Sequence, residues 1–288
     1  MSTSYLKKAL YLFFLFFCFL SLSSCTHSFL DTTYHQQYRY LKKEKKQIES
    51  LPNDDFSVVF FVSARHLDYA SAPRFLRSLD INPLSKKTRL SFGHAWFSLK
   101  GMEEEIIEGG HSGELGLNQA KYFEGVVNNI KYGYSNPDLI QKKQNHYERN
   151  PIKYLWETIY DGFFQIGNGG YSPTLALYVP LNKLQYKSLR KLVSEDNYNY
   201  FAYSISKNQC CNLIINMGKE IGLDFSAEKK ISLPRYIQFD KESLRFWEDD
   251  IYSQFIFLSP DELEKSLLET AVKHPEFSIV TNLYRSLN

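Results

Sequence analysis

The chain has 288 residues, 43% of them hydrophobic and 16% aromatic, enough to bury a sizeable core in one large domain or two small ones. A formal net charge of +2 leaves no electrostatic footprint for a nucleic-acid partner. The four cysteines, at 18, 25, 210 and 211, have no Cys-x-x-Cys or Cys/His ligand spacing, so neither a disulfide scaffold nor a zinc site is indicated, and adjacent Cys210 and Cys211 could pair only in a strained vicinal disulfide.

At the N-terminus Lys7 and Lys8 precede an apolar run from Ala9 to Leu20 that is short for a membrane span. That is the layout of a signal peptide over residues 1–24, with an uncleaved signal anchor as the alternative. The end of the run, Leu22-Ser23-Ser24-Cys25, resembles the bacterial lipobox. The resemblance implies a lipid on the Cys25 thiol, Cys25 as the mature N-terminus and a partnership with the membrane. Thr26 stands where Asp would mark inner-membrane retention, so the implied destination is the outer membrane of the cell envelope. Residues 25–50 are polar and carry the run Lys42-Lys43-Glu44-Lys45-Lys46, which reads as a tether or surface helix with a solvated charged face. The folded domain is expected over 51–288.

Phe56 to Val62 is a β-rich apolar run and predicts a buried strand. His66 follows in a loop and carries no pattern of a site residue. Leu90 to Leu99 predicts a second strand, with His94 on one face beside Phe92 and Trp96, and with the turn Lys100-Gly101 after it. Glu104 to Gly113 reads as the partner strand of a hairpin, running out into Gly-rich sequence that holds His111. Residues 118–130 and 151–164 read as helices, Pro151 suiting a first-turn position. Gly167-Asn168-Gly169-Gly170 is a breaker and lacks the Lys-Ser/Thr of a phosphate loop. Thr174 to Pro180 reads as a strand, Asn182 to Val193 as a short helix, and Tyr200 to Ile205 as a further strand.

Next comes Lys207-Asn208-Gln209-Cys210-Cys211-Asn212-Leu213 and a helix through Ile221. Cys210, Ile214, Met217 and Ile221 form one apolar stripe, Asn208 is the expected N-cap and Gly222 the expected stop. A thiol in the first turn of a helix lies in the positive end of the macrodipole, which favours the thiolate. Free Cys is also among the most buried residue types, so packing is the competing role. Cys211 projects with Ile215, Gly218 and Gly222, a face suited to close packing, whereas Cys210 heads the longer stripe. The tail predicts extended segments at 231–235 and 252–258, a helix from Ser259-Pro260 with Leu263, Leu267 and Leu268 on its apolar face, and Phe246 with Trp247 in the core, with a cleft wall as the alternative.

The order of a Gly-His-Ala-Trp strand, a Gly-rich turn, a strand ending Val-Pro-Leu, a short helix, a Tyr-Ser-Ile segment and a helix opened by Asn-x-Cys resembles the circularly permuted NlpC/P60 cysteine peptidase-like superfamily, over roughly 90–225. The resemblance implies an α+β, papain-like fold in which an antiparallel sheet packs against the cysteine-bearing helix. It implies Cys210 as nucleophile, His94 as base and His111 as the polar residue that orients the base. Two departures stand beside it: Gln209 occupies a position where the family often has Asn, and the doubled cysteine leaves Cys211 as the rival nucleophile. Glu108, on the same hairpin as His111, is the rival orienting group. The implied chemistry is acyl transfer through a thioacyl intermediate, with no cofactor or metal, by a monomer. Implied substrates are cell-wall peptides; lipid acyl groups and a catalytically silent binding lipoprotein are the alternatives.

Overall fold

A computed structural model describes residues 50–78, 92–113, 124–131, 147–239 and 242–285. The signal-peptide segment, Cys25 and all but the last residue of the polar tether lie outside them, as do residues 118–123 of the expected helix and Leu90 and Ser91 of the expected strand. Among the described residues no helix is long and apolar enough to cross a membrane.

The domain is mixed α+β and is built on a six-stranded antiparallel sheet. In chain order its strands are β1 (Ser57–Ala64), β2 (Gly93–Lys100), β3 (Ile107–Ser112), β4 (Phe163–Ile166), β5 (Leu175–Pro180) and β10 (Ser278–Ile279), arranged spatially as β10-β5-β1-β2-β3-β4. The central β1 is apolar almost without alternation because both of its faces are buried. Val58, Phe60 and Val62 join Ala95, Phe97 and Leu99 of β2 on one face, while Val59, Phe61 and Trp96 pack on the other.

Two helices cover the first face: α4 (Cys210–Glu220) and α5 (Pro260–Lys273). The stripe expected on α4 is buried along its whole length, and Leu213, Ile214 and Met217 are fully shielded. Complete burial of such a side chain stabilises by about 1.5–3 kcal/mol. Gly222 ends the helix at φ +84°, with Leu223 N–H bonded to Gly218 O and Gly222 N–H to Lys219 O, so the αL residue closes a Schellman motif. Gly218 lies against the Phe225 ring, where a Cβ would clash, which gives the close-packed character read for the Cys211 face a physical basis. The second sheet face is covered by Val280 and by Leu283 and Tyr284 of α6 (Thr281–Arg285).

The remaining described elements are α1 (Ala72–Ser78), α2 (Glu124–Lys131), α3 (Lys183–Leu192) and two small sheets, β6 (Glu228–Ser232) with β9 (Gln254–Leu258) and β7 (Tyr236–Phe239) with β8 (Glu242–Arg245). Asn182 caps α3 in a capping box with Gln185, and Ser259 caps α5 with Pro260 in its first turn. Phe246 and Trp247 are core, in a satellite cluster with Phe255 and Phe257.

Three sequence expectations give way to tertiary contacts. Residues 151–164 form only a 3-10 turn at Lys153–Leu155 and then run extended into β4, which pairs with the outer edge of β3. Residues 200–205 are not a strand: the segment makes two isolated bridges, Ile159 with Tyr203 and Ser204 with Asn208, and folds back on itself. A 3-10 turn at Asp250–Tyr252 likewise shortens the expected extended segment at 252–258. In each case pairing or local side-chain bonding supplies the backbone partners that a longer regular element would have provided.

Candidate active site

β2 begins on Gly93 at φ +97°, and a Cβ there would sit 2.4 Å from the Ser63 carbonyl oxygen, so only glycine allows the chain to enter the strand beside β1. The turn places His94 at the strand start, 4% exposed, with its ring stacked near Trp96 (centroids 5.8 Å apart) and covered by Tyr171 (4.9 Å). Gly110 of β3 makes room for that ring: a Cβ at 110 would lie 3.2 Å from His94 Nε2 and 2.8 Å from Ala95 O.

The N-terminus of α4 brings Cys210 to this point. Its thiol is held well below the ordinary cysteine range, first by a hydrogen bond from the Cys211 thiol, with burial opposing, and then by a hydrogen bond and charge interaction with His94 and by the Ala95 backbone N–H. Cys211 moves the other way, pushed well above the ordinary range by burial and by its neighbour. Of these two adjacent thiols, the directions of the shifts favour ionisation at Cys210, which is the one that His94 hydrogen-bonds. His94 Nε2 has no hydrogen-bond partner.

His111 stands close enough to Cys210 and His94 to feel their charges, but it makes no hydrogen bond to His94. Its Nε2 donates to the Tyr200 carbonyl at 2.8 Å, and its Nδ1 lies 3.1 Å from Tyr198 Oη. Burial lowers its basicity, with the Tyr200 carbonyl and Cys210 acting in the opposite sense. The contact expected of an orienting residue is thus absent from His111. Glu108 does not supply it either: it lies opposite Ser98, half-buried, and burial pushes its carboxyl up.

The helix cap also differs from expectation. Asn208 is engaged elsewhere, its Oδ1 accepting from Tyr198 Oη at 2.9 Å and its Nδ2 donating to Ala202 O. Gln209 is the N-cap, with Oε1 accepting from Cys211 N–H at 2.7 Å and lying 3.0 Å from Cys210 Sγ, while Nε2 donates to Leu258 O. Gln209, Tyr198, Tyr171 and Gly110 are the site residues that sequence reasoning missed. Only Gln209 had a signal, its position directly before the cysteine.

His66 pairs with buried Glu264 at 2.6 Å, on a loop that Asp261 fastens to α5. Among the described residues no three His, Cys, Asp or Glu side chains come together as a group that could hold a metal. No family model, curated protein or solved structure matches the chain.

Proposed function

We propose that the chain is a cysteine hydrolase that works by acyl transfer, tethered to the bacterial cell envelope through a lipid on Cys25 and acting on amide bonds of cell-wall peptides. The observation that carries the reading is the contact between a first-turn thiol of depressed pKa, Cys210, and the imidazole of His94 on the adjacent strand. The resemblance to the permuted NlpC/P60 superfamily supports the same pair in the same roles. In the first step the thiol proton passes to His94 while sulfur attacks the carbonyl carbon. The C–N bond then breaks, the amine leaves with the proton from His94, and water, deprotonated by the same ring, releases the acid and restores the thiol. Gln209 occupies the N–H groups of Cys211, Asn212 and Leu213 through its side chain and carbonyl, so the oxyanion is assigned to the Cys210 N–H.

A thiol-directed probe tests the reading. Wild-type protein should label rapidly at Cys210 near neutral pH, and labelling should fall by orders of magnitude in Cys210→Ala and His94→Ala with folding retained, because members of such a unit act together. Incubation with purified cell wall and, separately, with phospholipid then identifies the substrate: release of peptide fragments supports the proposal, and release of fatty acid alone replaces it with a lipid acyl hydrolase. A Cys210 that stays unlabelled would reduce the chain to a binding lipoprotein. Cys25→Ala, in the same preparations, should no longer partition with membranes.

A further inference from the structure

Gln209 is 4% exposed and its amide has no rotational ambiguity, because the nitrogen faces a carbonyl (Leu258 O) and the oxygen faces an N–H (Cys211). The same oxygen lies 3.0 Å from Cys210 Sγ. An amide oxygen at that distance is matched by an S–H donor, whereas a thiolate would meet the negative end of the amide dipole. The resting sulfur therefore has two acceptors for one proton, Gln209 Oε1 on the side of β9 and the His94 ring on the side of β2.

We propose that Gln209 is a positioning residue that holds the Cys210 proton in the resting protein, so that the nucleophile is released only as its proton passes to His94. This rests on the reading of Cys210 as the nucleophile and adds a control to it. In the step itself the S–H bond breaks and an N–H bond forms on His94, with no other reactant. Sulfur then turns from the amide oxygen toward the Ala95 N–H, the Cys211 thiol and the imidazolium, which stabilise the anion. Because Oε1 also binds the Cys211 N–H, and Nε2 is tied to the end of β9, the amide cannot simply follow the sulfur. The groups that act on this ionisation from the surrounding elements are His94 and Ala95 N–H of β2, His111 of β3, Cys211 of α4 and Tyr198 of the preceding loop; Asp261 of α5 acts on Cys211.

The test is the pH dependence of Cys210 alkylation by iodoacetamide in the full chain, in wild type and Gln209→Met, a change that keeps length and removes the acceptor. The midpoint should drop by about one pH unit, giving about tenfold more thiolate on its acid side, as expected for loss of one hydrogen bond that favours the neutral form. A role confined to capping would lower the thermal midpoint and leave the alkylation midpoint in place, and an unchanged or raised midpoint overturns the proposal. Should Gln209→Met fail to fold, the Raman difference between wild type and Cys210→Ala reads the bond directly. Read in a His94→Ala background, where the imidazole acceptor is gone, an S–H stretch at the lowered frequency of a hydrogen-bonded thiol supports Gln209 as acceptor, and the frequency of a free thiol overturns it. The two readings fail separately. A Cys210 inert to iodoacetamide at every pH removes the hydrolase, whereas a reactive Cys210 with a free S–H removes only the Gln209 latch.

Discussion

The contact between His94 and Cys210 depends on two glycines whose Cβ positions are already occupied. Gly93 must pass the Ser63 carbonyl, and Gly110 must leave space for the His94 ring between the backbone of β2 and Trp96. At Gly110 a methyl group would meet Ala95 O at 2.8 Å, Trp96 Cβ at 3.0 Å and His94 Nε2 at 3.2 Å, so the backbones of β2 and β3 must move apart there and the imidazole, on the same stretch of β2, moves with them. Overpacking of this kind costs about 1–3 kcal/mol. Gly110→Ala should therefore leave a folded protein whose His94 is displaced from the sulfur, with alkylation of Cys210 at neutral pH slowed about tenfold or more, since about 1.4 kcal/mol is a factor of ten. Alkylation at the wild-type rate would show that the ring does not need the space. At this scale helical phase separates Cys210 from Cys211 already in the sequence, and the structure sets Cys210, the thiol whose pKa is lowered, beside His94; sequence preference fails where two adjacent residues compete for one task. Asn is the stronger N-cap by preference, yet Asn208 is claimed by Tyr198 and Ala202, and the cap passes to Gln209.

Among the elements, those with a strong apolar run or a cap and stop of their own were legible: β1, β2, α3, α4 and α5 stand within a few residues of where periodicity and capping place them. β4 was not, because Phe163–Ile166, four residues of strand composition, adjoins the apolar pattern that reads as a helix over 151–164 and becomes a strand where β3 offers it an edge, and Tyr200 to Ile205 has strand composition but spends its polar groups on a loop. The loop after β1 was also opaque, and its order comes from α5. Asp261, 2% exposed, accepts the backbone N–H groups of Arg65, His66 and Leu67 and the hydroxyl of Tyr69. Burial raises its pKa, while the Leu67 and His66 N–H bonds oppose the rise. Removing the carboxyl leaves three backbone donors without that acceptor, and each such group costs about 1–3 kcal/mol when it stays buried. Leu67 is the buried one of the three, and Asp261→Ala should accordingly lose about 1–3 kcal/mol in urea unfolding. A loss under about 1 kcal/mol would mean that the loop finds water or other acceptors without difficulty.

Across the whole molecule, the sheet sets the helix start, the first histidine and the second histidine at neighbouring strand ends, so the chemistry of the site and the stability of the fold share residues. His111 is the clearest case, being fully buried between Tyr198, Tyr200 and Tyr203. Burial is the largest influence on it and lowers its folded-state pKa below the ordinary value of about 6.5. An unfolded chain binds a proton at this position at a higher pH than the native one does. The native state therefore keeps the full contribution of a neutral His111 above about pH 6.5 and loses stability as pH falls from there toward the lowered folded pKa. Below that value both states are protonated and the slope vanishes. In His111→Gln the group that creates the difference is gone. The wild-type urea midpoint should fall more between pH 7.5 and pH 5.5 than that of the variant, although the variant starts lower because Tyr198 and the Tyr200 carbonyl lose a partner of matched shape. Parallel pH profiles for the two proteins would mean that His111 is protonated in the native state as readily as in the unfolded one. The Cys210 charge, which favours His111 protonation, would then outweigh burial across the range in which the thiol is poised.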